Sequence, residues 1–136
     1  MAAQTGRCLC GSVRFRAEDV RERFTACHCS MCRRWGGGPL LSTHVREVSF
    51  EGVQHIERYR SSKWAERGFC RTCGTHLFYF LTPKSDYYMP IGVFDDAQAF
   101  TFTQEIFIDR KPDHYSFAEH RERLTEAQSL AELPQD

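Results

Sequence analysis

A chain of 136 residues and 15.8 kDa has the size of one domain. Its 41% hydrophobic and 13% aromatic content excludes a disordered chain, and no apolar run approaches the ~20 residues of a bilayer-spanning helix. Zero net charge, with 18 basic and 18 acidic side chains, excludes a bulk attraction to nucleic acid. The seven cysteines are an odd number, so they cannot all be disulfide-bonded. The opening MAAQTGR lacks the apolar stretch of a secretory signal. The chain is therefore expected in the cytoplasm, where thiols stay reduced and clustered cysteines bind metal or do chemistry.

In chain order, Val13 to Arg16 alternates as a strand, Val13 and Phe15 on one face and Arg14 and Arg16 on the other. Phe24 to Cys29 is extended. Ser30 is placed to cap one short helical turn through Arg34, and Gly36-Gly37-Gly38-Pro39 forces a loop. Leu40 to Val45, Glu47 to Phe50 and His55 to Arg60 read as strands, the last ending at turn residues Ser61 and Ser62. Thr75 to Leu81 alternates, with Leu77 and Tyr79 against His76, Phe78 and Phe80. Tyr87 to Phe94 and Phe100 to Ile108 are further strands. Thr125-Glu126-Ala127-Gln128 has the form of a capping box and predicts a short C-terminal helix. Many short strands with few helices predict a mainly β fold of small sheets.

The cysteines form three clusters: Cys8/Cys10, Cys27/Cys29/Cys32 and Cys70/Cys73. Soft thiolates at such short spacings suit Zn²⁺. Cys10 and Cys73 are each followed by a glycine, the residue that tolerates the positive φ of a metal knuckle, whereas Cys32 is followed by Arg33. This pairs Cys8, Cys10, Cys70 and Cys73 as one closed, structural four-sulfur site. Cys27, Cys29 and Cys32 then form an incomplete tetrahedron. Three protein ligands with a fourth position free is the pattern of a catalytic zinc. The alternatives are a histidine completing the site, with His44 and His76 better placed than His28, or a metal-free or redox-active trio.

The segments G-R-C-L-C-G-S-V-R-F, C-H-C-S-M-C-R-R and F-C-R-T-C-G-T-H-L together resemble the glutathione-dependent formaldehyde-activating enzyme family, which includes centromere protein V-like proteins. The resemblance runs from Gly6 to about Leu130, including I-F-I-D-R-K-P-D-H-Y-S-F-A. It implies an Mss4-like fold of several small coiled β-sheets around zinc, with short helical turns and a C-terminal helix, in a single zinc-binding domain over 1–136. It also implies a structural zinc on Cys8, Cys10, Cys70 and Cys73 and a catalytic zinc on Cys27, Cys29 and Cys32. The implied activity is that of a carbon–sulfur lyase, joining formaldehyde and glutathione reversibly to S-hydroxymethylglutathione. The run Arg34-Trp35-Gly36-Gly37-Gly38-Pro39 departs from the small-residue segment expected at that place.

Residues 1–76 carry 13 Lys/Arg against 7 Asp/Glu, and residues 77–136 carry 5 against 11. The basic metal-binding part suits small anions better than a phosphate backbone. Arg33 and Arg34, directly after the trio, are the first candidates for the carboxylates of a glutathione-like thiol; Arg58, Arg60 and Lys63 follow. His28 and His76 are candidate proton shuttles. Trp35, Trp64 and Tyr59 are expected to serve packing before substrate contact. The expected partners are a small-molecule thiol and an aldehyde, with neither nucleic acid nor membrane. The second zinc is expected to be partly occupied, because three ligands on a short stretch chelate less firmly than four. Two other functions compete with the enzyme: a zinc-stabilised binding module, which requires two closed sites and no pocket near Cys27, and a sulfoxide reductase, which requires a redox cysteine away from metal.

Overall fold

The computed structural model of the chain describes residues 2–119 and 121–132. Among these, the strands form two sheets. The smaller is antiparallel, with β1 (Ala2–Arg7), β2 (Arg14–Val20) and β5 (Glu47–Glu51) in the order β1-β2-β5. The larger contains β3 (Arg23–Cys27), β4 (Leu40–Val45), β6 (Ile56–Ser62), β7 (Ala65–Cys70), β8 (His76–Leu81), β9 (Asp86–Pro90), β10 (Thr101–Ile106) and β11 (Glu122–Arg123). Its spatial order is β11-β10-β3-β4-β9-β8-β7-β6, parallel only where β10 meets β3 and β11. Two short helices, α1 (Ser30–Gly36) and α2 (Glu126–Leu130), complete a mainly β architecture. No helix among the described residues is long and apolar enough to cross a membrane.

The core lies where the two sheets meet. Val13, Phe15, Ala17 and Val20 point into it from β2 and its approach, against Val45, Phe78 and Met89 of the large sheet. Arg14 and Arg16 face outward, as alternation requires. Aromatic rings fill the centre: Phe15 stands edge-on to Phe94 at 5.1 Å and Phe78 edge-on to Tyr87 at 5.1 Å. The opposite face of the large sheet is not covered by the small one, and it carries the site described below.

Several local expectations change. The N-cap of α1 is Cys29, whose Sγ accepts the Cys32 N–H at 3.3 Å, and the helix runs on through Gly36. Ser30 is instead its first residue, because a cap must precede the turn whose N–H groups it satisfies. β6 continues through Ser62, which pairs with Ala65, so the hairpin turn is Lys63-Trp64 rather than Ser61-Ser62. β8 does not alternate strictly. Gly68 pairs with Phe78 and Phe69 with His76, so Leu77 is an extra residue and both Leu77 and Phe78 reach the core. β9 stops at Pro90, and a 3₁₀ turn over Ile91–Val93 replaces the rest of the expected strand. β1 has no signal in the sequence: AAQTGR has no apolar alternation, and the strand is held at a sheet edge by its pairing with β2. The capping box is present, with Thr125 Oγ1 accepting from Gln128 N and Gln128 Oε1 from Thr125 N.

Candidate metal centres and the adjoining cleft

The β1–β2 and β7–β8 turns approach each other as two matching knuckles. Gly11 N–H donates to Cys8 O at 3.2 Å and Gly74 N–H to Cys70 O at 2.7 Å, with both glycines at φ 80°. That φ is open to glycine without steric cost. The turns are tied by Leu9 N–H to Thr75 Oγ1 at 3.0 Å. The four sulfurs of Cys8, Cys10, Cys70 and Cys73 lie within 4.8 Å of one another. Cys8 Sγ is 3.7 Å from Cys10 Sγ, and Cys10 Sγ is 3.9 Å from Cys70 Sγ. Sulfurs at the corners of a tetrahedron around zinc, each ~2.3 Å from it, are ~3.8 Å apart. The donor set therefore fits a tetrahedral metal ion. Thr75 hydrogen-bonds Cys73 and holds its thiol down at about 5.

The second cluster is built at the β3–α1 junction. β3 ends in Cys27, Cys29 caps the helix and Cys32 lies in its first turn, so one tight corner converges three sulfurs to within 4.8 Å. Hydrogen bonds from the Cys27 and Cys32 thiols push Cys29 down, and the bond to Cys29 pushes Cys27 up. By themselves the three sulfurs therefore concentrate negative charge on one of them; a divalent cation would allow all three to ionise. Among the described residues, no further His, Cys, Asp or Glu ligand atom joins them within that distance.

None of the three histidines that could be a fourth ligand or proton shuttle joins the sulfur trio. His28 is fully buried, with Nε2 2.8 Å from Glu105 Oε1 and Nδ1 2.8 Å from the Tyr115 hydroxyl. Burial holds its imidazole below the ordinary value, so it is neutral. His44 Nε2 lies 3.0 Å from Asp86 Oδ2, at an angle that makes no hydrogen bond. His76 stacks on Trp35 at 4.6 Å.

A cleft of about 970 Å³ opens over the trio and includes Cys27, Cys29 and Cys32 in its lining. Its floor is the free face of the large sheet. Alternation puts Arg23, Thr25 and Cys27 of β3 and Leu40, Ser42 and His44 of β4 on that face. Arg67, Tyr79, Tyr88 and His44 stand side by side across β7, β8, β9 and β4. Burial pushes Tyr79 up to about 12, so its hydroxyl is a neutral donor. Arg21, Arg23, Arg33, Arg67, Lys84 and Arg110 line the cleft against the carboxylates Glu126 and Glu132.

Of the basic residues expected to meet substrate, Arg33 lines the cleft and its Nε donates to His28 O at 3.0 Å. Arg34 is exposed on the helix and is not part of the lining. Arg58 pairs with Glu66, Arg60 donates to Lys63 O, and neither they nor Lys63 reach the cleft. Trp64 is a wall residue, whereas Trp35 is outside the lining, stacked on Tyr59 and His76. Sequence reasoning missed Arg67, Tyr79, Arg21 and Arg23. For Arg23 a signal existed: it shares the parity of Thr25 and Cys27 on β3. For Arg67 none did, since its place depends on β7 pairing with β8.

The sequence profile of the family described as "Glutathione-dependent formaldehyde-activating enzyme" matches residues 3–110. A Schizosaccharomyces pombe protein named as an uncharacterized lyase is 32% identical over 127 residues, 92% of this chain and 93% of that one. A putative glutathione-dependent formaldehyde-activating enzyme of Halomonas elongata is 33% identical over 85 residues, 55% of this chain and 54% of the relative. A crystal structure of a Rhodobacter sphaeroides protein shares the fold, with a TM-score of 0.56, 24% identity and coverage of 73% of this chain and 99% of that one. With a profile match spanning most of its length and both cysteine clusters inside that match, the chain belongs to the glutathione-dependent formaldehyde-activating enzyme family.

Proposed function

We propose that this protein is a zinc-dependent carbon–sulfur lyase that joins an anionic, glutathione-like thiol to an aldehyde reversibly, formaldehyde and S-hydroxymethylglutathione being the first pair to test. The observation that carries this reading is a three-sulfur cluster at the wall of a cationic cleft. Cys8, Cys10, Cys70 and Cys73 would hold a structural zinc, and Cys27, Cys29 and Cys32 a second one. When bound to the trio, zinc supplies a soft cation that keeps a substrate thiol ionised at neutral pH. Relatives named as a lyase and as a formaldehyde-activating enzyme support the reaction class.

The remaining work falls to the chain. Arg33, Arg21 and Arg23 attract the substrate carboxylates and orient the thiol toward the trio. In the forward direction the thiolate sulfur bonds to the carbonyl carbon, the C=O π pair moves to oxygen, and that oxygen takes a proton. The Tyr79 hydroxyl, neutral and in the lining, is the donor placed to hydrogen-bond that oxygen. Reversal breaks the same C–S bond and returns the proton. The cleft favours this reading over a binding module, which requires no pocket near Cys27. The grouping of all seven cysteines into two clusters favours it over a reductase with a separate redox cysteine. Seven free thiols also suit a cytoplasmic setting.

Exchange NMR with ¹³C-formaldehyde and glutathione tests the proposal. Zinc-loaded protein is expected to accelerate adduct exchange above the uncatalysed rate, and Cys32→Ser to abolish the acceleration. No acceleration with formaldehyde or any larger aldehyde would overturn it.

A further inference from the structure

We propose that Arg67 is a positioning residue of the three-cysteine centre, whose charge makes that centre accept an anionic thiolate in preference to a neutral ligand; this rests on the thiol-binding reading above. Arg67 stands on β7, on a different segment from the three cysteines, and is 3% exposed. Its Nη1 and Nη2 lie 3.9 and 3.7 Å from Cys32 Sγ. The guanidinium sits 5.0 Å from the centroid of Tyr79 and 5.9 Å from that of Trp35. Trp35 is in turn fixed by stacking on His76 and Tyr59.

A buried cation needs a counter-charge. Among the described residues no carboxylate pairs with Arg67, and the group its fork reaches is the Cys32 sulfur, which carries negative charge once it ligates a metal ion. Three thiolates around a divalent cation carry one surplus negative charge, and an arriving thiolate adds a second. Arg67 offsets one of these from within the cleft wall, where screening by water is weak. Its planar fork directs two N–H groups at one sulfur, a geometry that a lysine ammonium does not reproduce. The Tyr59–Trp35–His76 stack is then the support that keeps the guanidinium on Cys32. This gives the unexpected Trp35 a role beside the site.

The test loads wild type, Arg67→Met and Arg67→Lys with cobalt(II) and titrates each with glutathione and with imidazole, a neutral ligand. All three proteins are expected to retain two metals. Arg67→Met is expected to bind glutathione 10–100-fold more weakly, as loss of an outer-shell partner does, with imidazole affinity nearly unchanged. Its sulfur-to-cobalt charge-transfer band is expected to move to lower energy, and Arg67→Lys to recover part of the thiol affinity. Unchanged glutathione affinity in Arg67→Met, or equal losses for both ligands, would overturn the assignment. If Arg67→Met does not fold, the same comparison between Arg67→Lys and wild type decides it. A wild-type centre that binds cobalt but no thiol would overturn the reading of the site itself, a result distinct from the failure of Arg67 alone.

Discussion

Cys70 and Cys32 are both buried thiols, yet they serve different structures. Cys70 belongs to the pair of knuckles that joins β1–β2 to β7–β8, whereas Cys32 belongs to a local corner already shaped by backbone bonds such as Arg33 N–H to Cys29 O at 3.0 Å. Cys70→Ser is therefore expected to give insoluble or unfolded protein. Cys32→Ser is expected to remain folded and lose one metal, measured by circular dichroism and metal analysis; equal unfolding in both would refute the division. A second contrast separates neighbours on α1. Arg33→Ala is expected to raise the KM for glutathione about tenfold, near 1.4 kcal/mol, while Arg34→Ala leaves it unchanged because that side chain faces solvent.

Glu105 sets a pH dependence at the same scale. Its side chain is 1% exposed and meets His28 at 2.8 Å, Arg121 at 3.0 Å and Arg123 at 3.3 Å. Burial pushes the carboxyl up, but the His28 and Arg121 hydrogen bonds and the Arg123 charge outweigh it and hold it below 4.5. A group depressed on folding contributes stability that is full above its unfolded value and is lost as pH falls through the folded one. The wild type is thus expected to lose stability on acidification below about pH 4.5. Glu105→Gln should lose ~3–5 kcal/mol at neutral pH, because it leaves the largely buried Arg121 without its counter-charge, and show a shallower acid slope in urea titrations.

At the level of elements, the bulge in β8 explains how two consecutive residues reach the same face of the large sheet. Leu77 and Phe78 fill the core while Tyr79 and Leu81 reach the cleft. The cross-strand partner of Phe78 is Gly68, where an added Cβ would stand 2.3 Å from the ring. Gly68→Ala therefore overpacks the core and is expected to destabilise the protein by ~1–3 kcal/mol. Since Arg67 is the neighbouring residue on β7, the same variant is expected to weaken thiol binding as well. Thermal melts with a glutathione titration check both effects, and an unchanged melting temperature would contradict the packing argument.

For the whole molecule, the four-sulfur site links the small sheet to the large one across a long stretch of chain. Structural zinc contributes ~10–16 kcal/mol in zinc-finger peptides, at least comparable with the ~5–15 kcal/mol total stability of a small domain. Mild chelation is expected to strip the three-cysteine centre first with the fold intact. Stronger chelation should remove the second metal and unfold the chain in the same step, followed by metal release and far-UV circular dichroism. A metal-free protein with unchanged melting temperature would contradict this.

The sequence alone determined the cysteine partition, because ligands two or three residues apart and the glycines after Cys10 and Cys73 record their local geometry within a few residues. It also determined the mainly β class and the capping box of α2, whose causes are equally local. Only the tertiary structure decided the cleft. Arg23, Arg67 and Tyr79 come from β3, β7 and β8, and their meeting depends on strand order and on a one-residue bulge, neither of which is written in any short segment. Arg33 and Arg34 are adjacent and chemically identical in the sequence; the turn of α1 points one into the cleft and the other into solvent.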